Sequence, residues 1–208
     1  MATDREQNAY LTPDQRHAVD AALKLGETCH VDFGHIAQVT RLALKLFDGL
    51  ASLIECSLIE KYWLHMASLL HDIGWVEGAK GHHKASLQII LNTPMLPLDN
   101  HERLLIGSIA RYHRKAYPSL KHDHYRTLDV YERHTVSVLA GILRIADGLD
   151  QRHLNVIEDL RVSIRHPQVK IEYICGLPAL AEIQAAQRKG GLFEKVLNVD
   201  LDFEEIVE

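Results

Sequence analysis

The chain has 208 residues and a mass of 23.6 kDa, the size of one domain or of one domain with a small appendage. Hydrophobic residues make up 47% and charged residues 25% of it, which excludes a disordered or fibrous chain. The net charge of −5 and the pI of about 6.3 give no global attraction to nucleic acid or to an anionic membrane, so neither is an expected partner. Read in order, Tyr10 to Asp150 is mostly helical. Thr12-Pro13-Asp14 starts a helix, with Thr12 as its cap and Pro13 at the first position. From Val31 to Leu53 apolar residues recur with a helical period at Ile36, Val39, Ala43, Leu46, Phe47 and Leu50. Leu58–Leu70 does the same and stops near Gly74, Lys84–Leu91 is a shorter helix, and His101–His113 is another. A polar loop follows from Ala116 to Asp129, then a strong helix from Tyr131 to Leu149. Beyond Leu154 the period changes to 2. Leu160, Val162 and Ile164 alternate, as do Val169, Ile171 and Tyr173, around a turn at Arg165–Gln168, which predicts a β-hairpin. A helix from Pro178 to Arg188, a break at Gly190-Gly191, and a third strand over Leu197–Phe203 complete the pattern. The expected fold is therefore mainly α, a helical bundle over residues 1–150, with a small α+β appendage (hairpin, helix, strand) over residues 151–208.

The three cysteines, Cys29, Cys56 and Cys175, are far apart and form no CxxC pair, which excludes a thiolate zinc knuckle and makes a disulfide framework unexpected. The start, Met1–Gln7, is polar and acidic, unlike a signal peptide. No apolar run approaches the roughly 18–20 residues of a membrane span, so a cytoplasmic protein is expected. The composition stands out in its 14 histidines. Imidazole is the commonest metal ligand and a near-neutral acid or base, so their placement decides the reading.

His71-Asp72 sits at the end of an apolar helix, just before Gly74. Adjacent residues cannot share one helix face, but at a helix end both can converge. His71 follows Ala67 by four and Leu64 by seven, on the buried stripe, where an unpaired carboxylate beside it costs several kcal/mol. His35 precedes Val39 by four and Leu42 by seven. Asp147 follows Leu143 by four and Ala140 by seven; an acid there opposes the helix macrodipole, which argues against a simple cap. Inward ligands on successive helices are how bundles build metal sites. His83 precedes Leu87 and Ile90 by four and seven, with His82 as its rival, and His113 follows Ile109 by four. The six residues His35, His71, Asp72, His83, His113 and Asp147 can hold one or two divalent ions with Asp72 bridging. Nitrogen and oxygen donors without thiolate suit Mn, Fe, Zn or Mg. Lys84, Arg111, Arg114, Lys115, Arg144 and Arg152 lie close to these ligands in sequence; Lys84 and Arg144 are the first choices to act on a substrate. His122-Asp123-His124 repeats the doublet in a polar loop without an apolar stripe and is expected at the surface, as a control. His17, His30, His65, His101, His134, His153 and His166 are expected at surface, cap or core positions.

His35, His71-Asp72 and Asp147 resemble the ligand signature of the HD superfamily of metal-dependent phosphohydrolases. More specifically, Gly81-His82-His83-Lys84, the run Ala110-Arg111-Tyr112-His113-Arg114-Lys115-Ala116 and the run Leu143–Asp150 resemble the C-terminal HD-like domain of the exopolyphosphatase/pppGpp phosphatase family. The likeness covers most of the chain, including its hairpin-helix-strand end, and the run around His113 is the more specific part. That family carries an N-terminal actin-like phosphatase domain with phosphate-binding glycine loops. This chain is too short for such a domain and shows no such loop, so that domain's polyphosphatase site is expected to be absent. What the resemblance implies is hydrolysis of a phosphate ester or anhydride, in a nucleotide, a polyphosphate-like chain or another small phosphorylated substrate, by water activated on one or two divalent ions. Asp72 or Asp147 would orient the water. Lys84, Arg111, Arg114 and Arg144 would bind substrate and answer the charge of the transition state, with Asp72, Lys84 and Arg144 as the catalytic set. The alternative is a noncatalytic binding or regulatory module on the same scaffold. The C-terminal segment carries no nameable chemistry and is assigned to covering the core or to forming a homodimer.

Overall fold

The structure is a computed structural model that describes residues 9–206; the polar start Met1–Gln7 lies outside them. Helix α1 (Pro13–Thr28) begins as expected. Thr12 and Gln15 close a capping box around Pro13. Helix α2 (Phe33–Gly49) is capped by Asp32, and the expected continuation to Leu53 is instead a separate short helix, α3 (Ala51–Ile54). Helix α4 (Leu58–Leu70) opens on a Ser57–Glu60 capping box and runs into a 3₁₀ turn, Ile73–Glu77. Helices α5 (His82–Asn92) and α6 (Asn100–Arg111) follow. The polar loop after them holds one short helix, α7 (Asp123–Arg126). Helix α8 (Val130–Gly148) is buried along its whole second half, from Val136 to Gly148.

The hairpin is present as β1 (Ile157–Arg165) and β2 (Gln168–Cys175), paired antiparallel with Leu160 opposite Tyr173 and Val162 opposite Ile171. Strand β3 (Asp200–Glu205) pairs with β2 in parallel, giving the order β1-β2-β3. Between them, α9 (Leu180–Leu197) is longer than the sequence pattern suggested and passes straight through Gly190-Gly191. These glycines are packing positions, not breaks. A Cβ at Gly190 would stand 2.6 Å from Leu201 Cδ1 of β3, and where α8 meets α9 a Cβ at Gly148 would stand 2.6 Å from the Ala186 Cα. A helix can carry glycine at about 1 kcal/mol relative to alanine when close approach of a neighbour offsets it.

One apolar core runs through both halves. Val39, Leu42, Leu70 and Ile145 of the helices join Ile157, Val169, Ile171 and Phe193 of the C-terminal segment in a single buried cluster. That segment packs on α8 and on α2, so it forms one wall of the space enclosed by the helix ends. No helix among the described residues is long and apolar enough to cross a membrane.

Candidate metal centre

Four histidines and two aspartates converge where α2, α4, α5, α6 and α8 end or begin. His35 stands in the first turn of α2, fixed by Asp32, whose Oδ1 accepts from the His35 backbone N–H at 3.2 Å. His71 closes α4 in helical conformation. Asp72 then leaves the helix at φ −108°, ψ 5°, and this one-residue change lets neighbouring side chains meet. The chain turns under them because Gly74 packs against the start of α5. Its N–H donates to Ser86 Oγ at 3.0 Å, and Ser86 Oγ donates to the His71 carbonyl at 2.7 Å. A Cβ at Gly74 would collide with the His82 carbonyl and the Ser86 nitrogen. The glycine after the doublet is therefore what brings α5, and His82 with it, to Asp72.

The groups fall into two triads, His35, His71 and Asp147, and Asp72, His82 and His113, each with ligand atoms within 4.8 Å of one another. Asp72 lies between them. Its Oδ1 is 3.2 Å from His82 Nε2 and 3.7 Å from His113 Nε2, while its Oδ2 is 3.6 Å from His71 Nε2 and 3.9 Å from His35 Nε2. Asp147 Oδ1 lies 3.5 Å from His35 Nε2.

The tautomers follow from the partners. His71 Nδ1 faces the Ser68 carbonyl at 2.7 Å, His113 Nδ1 the Ala110 carbonyl at 2.7 Å, His82 Nδ1 the Ala79 carbonyl at 3.2 Å, and His35 Nδ1 the Asp150 carboxylate at 2.8 Å. Each of those partners only accepts, so every Nδ1 carries its proton and donates it outward. In the neutral rings all four Nε2 atoms then turn their lone pairs toward the same small volume, and that of His82 also meets Arg114 Nη1 at 3.3 Å. His35 and His71 set theirs 3.4 Å apart, as do His82 and His113. Asp72 Oδ1, buried among them, has no hydrogen-bond partner. Four lone pairs and two carboxylates facing one another are repulsive unless a cation sits between them. Outward Nδ1–H bonds of this kind are how metal-binding imidazoles are oriented. The donor set therefore fits one or two divalent cations, with the outer Asp150 carboxylate held in turn by the Asn155 N–H at 2.9 Å.

The neighbouring charges act on the rings unequally. Burial works against protonating His35, but Asp147 and Asp150 outweigh it and lift the ring to about 9. His113, wholly enclosed and beside His71, is pushed down to about 3. Burial favours the neutral acids at Asp72 and Asp147, yet the surrounding imidazoles hold Asp72 ionised, and Lys189 and His35 hold Asp147 far below the usual carboxylate range. Lys189 Nζ lies 2.6 Å from Asp147 Oδ2.

A cavity of about 500 Å³ opens over the cluster, with Asp72, His82, His113 and Asp147 on its floor. Its wall is cationic: Arg114, Lys115, Arg188 and Lys189 line it, and Arg114 Nη1 sits 3.3 Å from His82 Nε2. A neighbouring, mostly apolar cavity of about 280 Å³ lies against His35, Ile36, Trp75 and His153. Trp75 stacks on His82 with ring centroids 4.6 Å apart, and His153 stacks on His35 at 3.7 Å.

The structure brings together five of the six expected ligands, His35, His71, Asp72, His113 and Asp147. The sixth position goes to His82, not His83. Helix α5 begins at His82, and its ring turns inward over Asp72. His83 points about 100° further round the helix, with its Nδ1 buried and unpartnered. Of the expected substrate cations, only Arg114 lines the cavity with its side chain unclaimed by backbone. Arg144 is buried and gives its donors to three carbonyls, those of Tyr112, Lys189 and Lys115, at 2.9, 3.1 and 3.4 Å. It ties α8 to the loop after α6 and to α9, and so positions Arg114, Lys115 and Lys189. Lys84 is exposed and lies outside the cavity lining, and Arg111 is buried elsewhere. Arg152 pairs with the buried Glu182 at 2.7 Å. His122 and His124, expected at the surface, are half-buried against Tyr112.

Asp150, His153, Trp75, Arg188 and Lys189 were not among the expected site residues. Only Asp150 left a sequence signal, in the pair Asp147–Asp150 bracketing the end of α8. Lys189 and Arg188 come from the segment to which no chemistry was assigned, and their arrival depends on how α9 packs on α8.

The helices and the site define a mainly helical protein with a buried, preoriented histidine–aspartate cluster under a cationic cavity. The family model of the Ppx/GppA phosphatases, domain III, matches residues 19–174, and the chain belongs to that family. No curated protein sequence matches the chain.

Proposed function

We propose that the chain is a metal-dependent phosphohydrolase of the HD type, acting on a nucleotide, a polyphosphate-like chain or another small phosphorylated substrate. The observation that carries this reading is the set of four inward Nε2 lone pairs, each fixed by an outward Nδ1–H bond, closed by Asp72 and Asp147 beneath a cationic wall. Bound among these residues, one or two divalent cations supply the Lewis acidity that makes water a nucleophile near neutral pH.

The chain's own residues supply the rest. His35, His71 and Asp147 hold one side, His82 and His113 the other, and Asp72 faces both through its two oxygens. The ionised Asp72 and Asp147 are placed to orient a water for attack. Arg114, Lys115, Arg188 and Lys189 face the volume where the phosphoryl oxygens would lie, where their positive charge meets the anionic substrate and the charge spread over its oxygens in the transition state. Arg144 keeps that wall in place through its three carbonyl bonds. Trp75 and His153 stack on His82 and His35 and help to hold those rings in place.

The test is phosphate release from a panel of nucleotides, phosphomonoesters and polyphosphates by purified chain, with and without Mn²⁺, Fe²⁺, Zn²⁺ or Mg²⁺. Metal-dependent release that Asp72→Asn abolishes supports the reading. A metal-loaded chain inert across the panel overturns it. A second reading, a noncatalytic binding or regulatory module, draws on the family match falling on domain III; tight binding of a phosphorylated compound without turnover favours it.

A further inference from the structure

Arg111 does not join the metal centre, and what surrounds it points elsewhere. Its side chain is 5% exposed, and Nη1 has no hydrogen-bond partner. Among the described residues no carboxylate forms an ion pair with its guanidinium, whose aromatic neighbour is the Tyr112 ring. Two more polar atoms nearby are also buried without partners, His83 Nδ1 and His124 Nε2. The Tyr112 ring gathers the group. The Arg111 guanidinium lies 5.5 Å from its centroid, the His124 ring 5.5 Å and the His122 ring 5.6 Å. His83 approaches from α5, its ring 6.3 Å from that of His113. Lys84 adds positive charge from α5. The one acid close by, Asp123, is exposed and already paired with Arg126 at 2.7 Å.

A water can satisfy an orphaned N–H, but it cannot neutralise a buried guanidinium. An unpaired buried charge is strongly destabilising, and a bound anion that supplies the opposite charge removes that cost. We propose that Arg111, His83 and His124 form a second oxyanion site, beside but separate from the metal cavity. It takes a tetrahedral phosphate-like anion, with the guanidinium fork as the main anchor and the two imidazole nitrogens as donors. The anion is either free phosphate or the distal phosphoryl group of a longer chain. The proposal stands whether or not the cavity is a hydrolase site, because it rests on no metal.

The experiment is isothermal titration of the full chain. Metal-free protein is titrated with inorganic phosphate, and Mn²⁺-loaded protein with tripolyphosphate. Wild type, Arg111→Met, His124→Phe and, as a control from the cavity wall, Lys189→Met are compared. We expect Arg111→Met and His124→Phe to weaken binding at least tenfold while Lys189→Met retains the phosphate site. Loss confined to inorganic phosphate identifies the free anion as the ligand; loss that includes tripolyphosphate identifies a distal phosphoryl group. Either the absence of saturable binding of both probes to wild type, or isotherms of the Arg111 and His124 variants that superimpose on it, overturns the proposal. Far-UV circular dichroism shows that each variant is folded, and either variant alone suffices to decide.

Discussion

Lys189→Met separates a structural ion pair from a cation site more sharply than any change to a ligand. Lys189 Nζ is 2.6 Å from Asp147 Oδ2, with the lysine side chain 23% and the aspartate 12% exposed. At an effective dielectric constant near 20 the gross attraction at that distance is about 6 kcal/mol. Desolvation of both groups and the lysine's partial exposure reduce the net contribution, so about 2–3 kcal/mol is expected on losing the partner of a mostly buried carboxylate. For a chain of this size that is a fall in Tm of about 5–10 °C. The loss is expected only without metal. A divalent cation at Asp147 supplies the missing charge, so in excess Mn²⁺ the variant is expected within about 2 °C of wild type. The assay is thermal unfolding followed by circular dichroism, in EDTA and in Mn²⁺. Equal losses in both buffers refute the reasoning, because Asp147 would then depend on lysine whether or not metal is present.

Other outcomes follow from the same geometry. His82→Ala is expected to lower Mn²⁺ affinity at least tenfold and His83→Ala to leave it within about threefold, as measured by competition with a chelating dye; the reverse order would return the site to His83. Asp150→Asn weakens the bond that orients His35 and is expected to lower metal affinity by about 10–100-fold with the fold intact; unchanged affinity would show that His35 needs no such support. His65, buried against Tyr10 and beside Lys61, has its pKa pushed down to about 4. The unfolded chain, near 6.5, takes up that proton first, so the neutral ring's contribution is complete above about pH 6.5 and lost as pH falls toward 4, up to about 3 kcal/mol. Denaturant unfolding at pH 7, 5.5 and 4.5 is expected to show a shallower pH dependence in His65→Phe; parallel curves would exclude His65 as a contributor.

Much of the fold was legible because local physics sets it. The Thr12-Pro13 cap, the apolar stripes of α2, α4 and α8, and the switch to period 2 at Leu160 and Val169 each have a local cause. The inward position of His35, His71 and Asp147 followed from those stripes. His82 and His83 could not be separated in this way, because both stand in the first turn of α5 and the choice is made by Gly74 seating that helix under Asp72. Gly190-Gly191 looked like a break because glycine usually marks one. What makes Gly190 a packing position is the approach of Leu201 from β3 and of Ile145 from α8, which no pattern at the glycines themselves signals. Lys189, Arg188 and His153 share that origin: no periodicity near them signals a neighbour some 40 or more residues away along the chain.

The inward lone pairs are expected to hold a divalent cation. Elemental analysis and Mn²⁺ titration of the purified chain, beside Asp72→Ala, address this directly. One or two ions bound per chain, lost in Asp72→Ala while its circular dichroism spectrum is unchanged, is the expected result. A wild-type chain that takes up no Mn²⁺, Fe²⁺ or Zn²⁺ at millimolar concentration would contradict it.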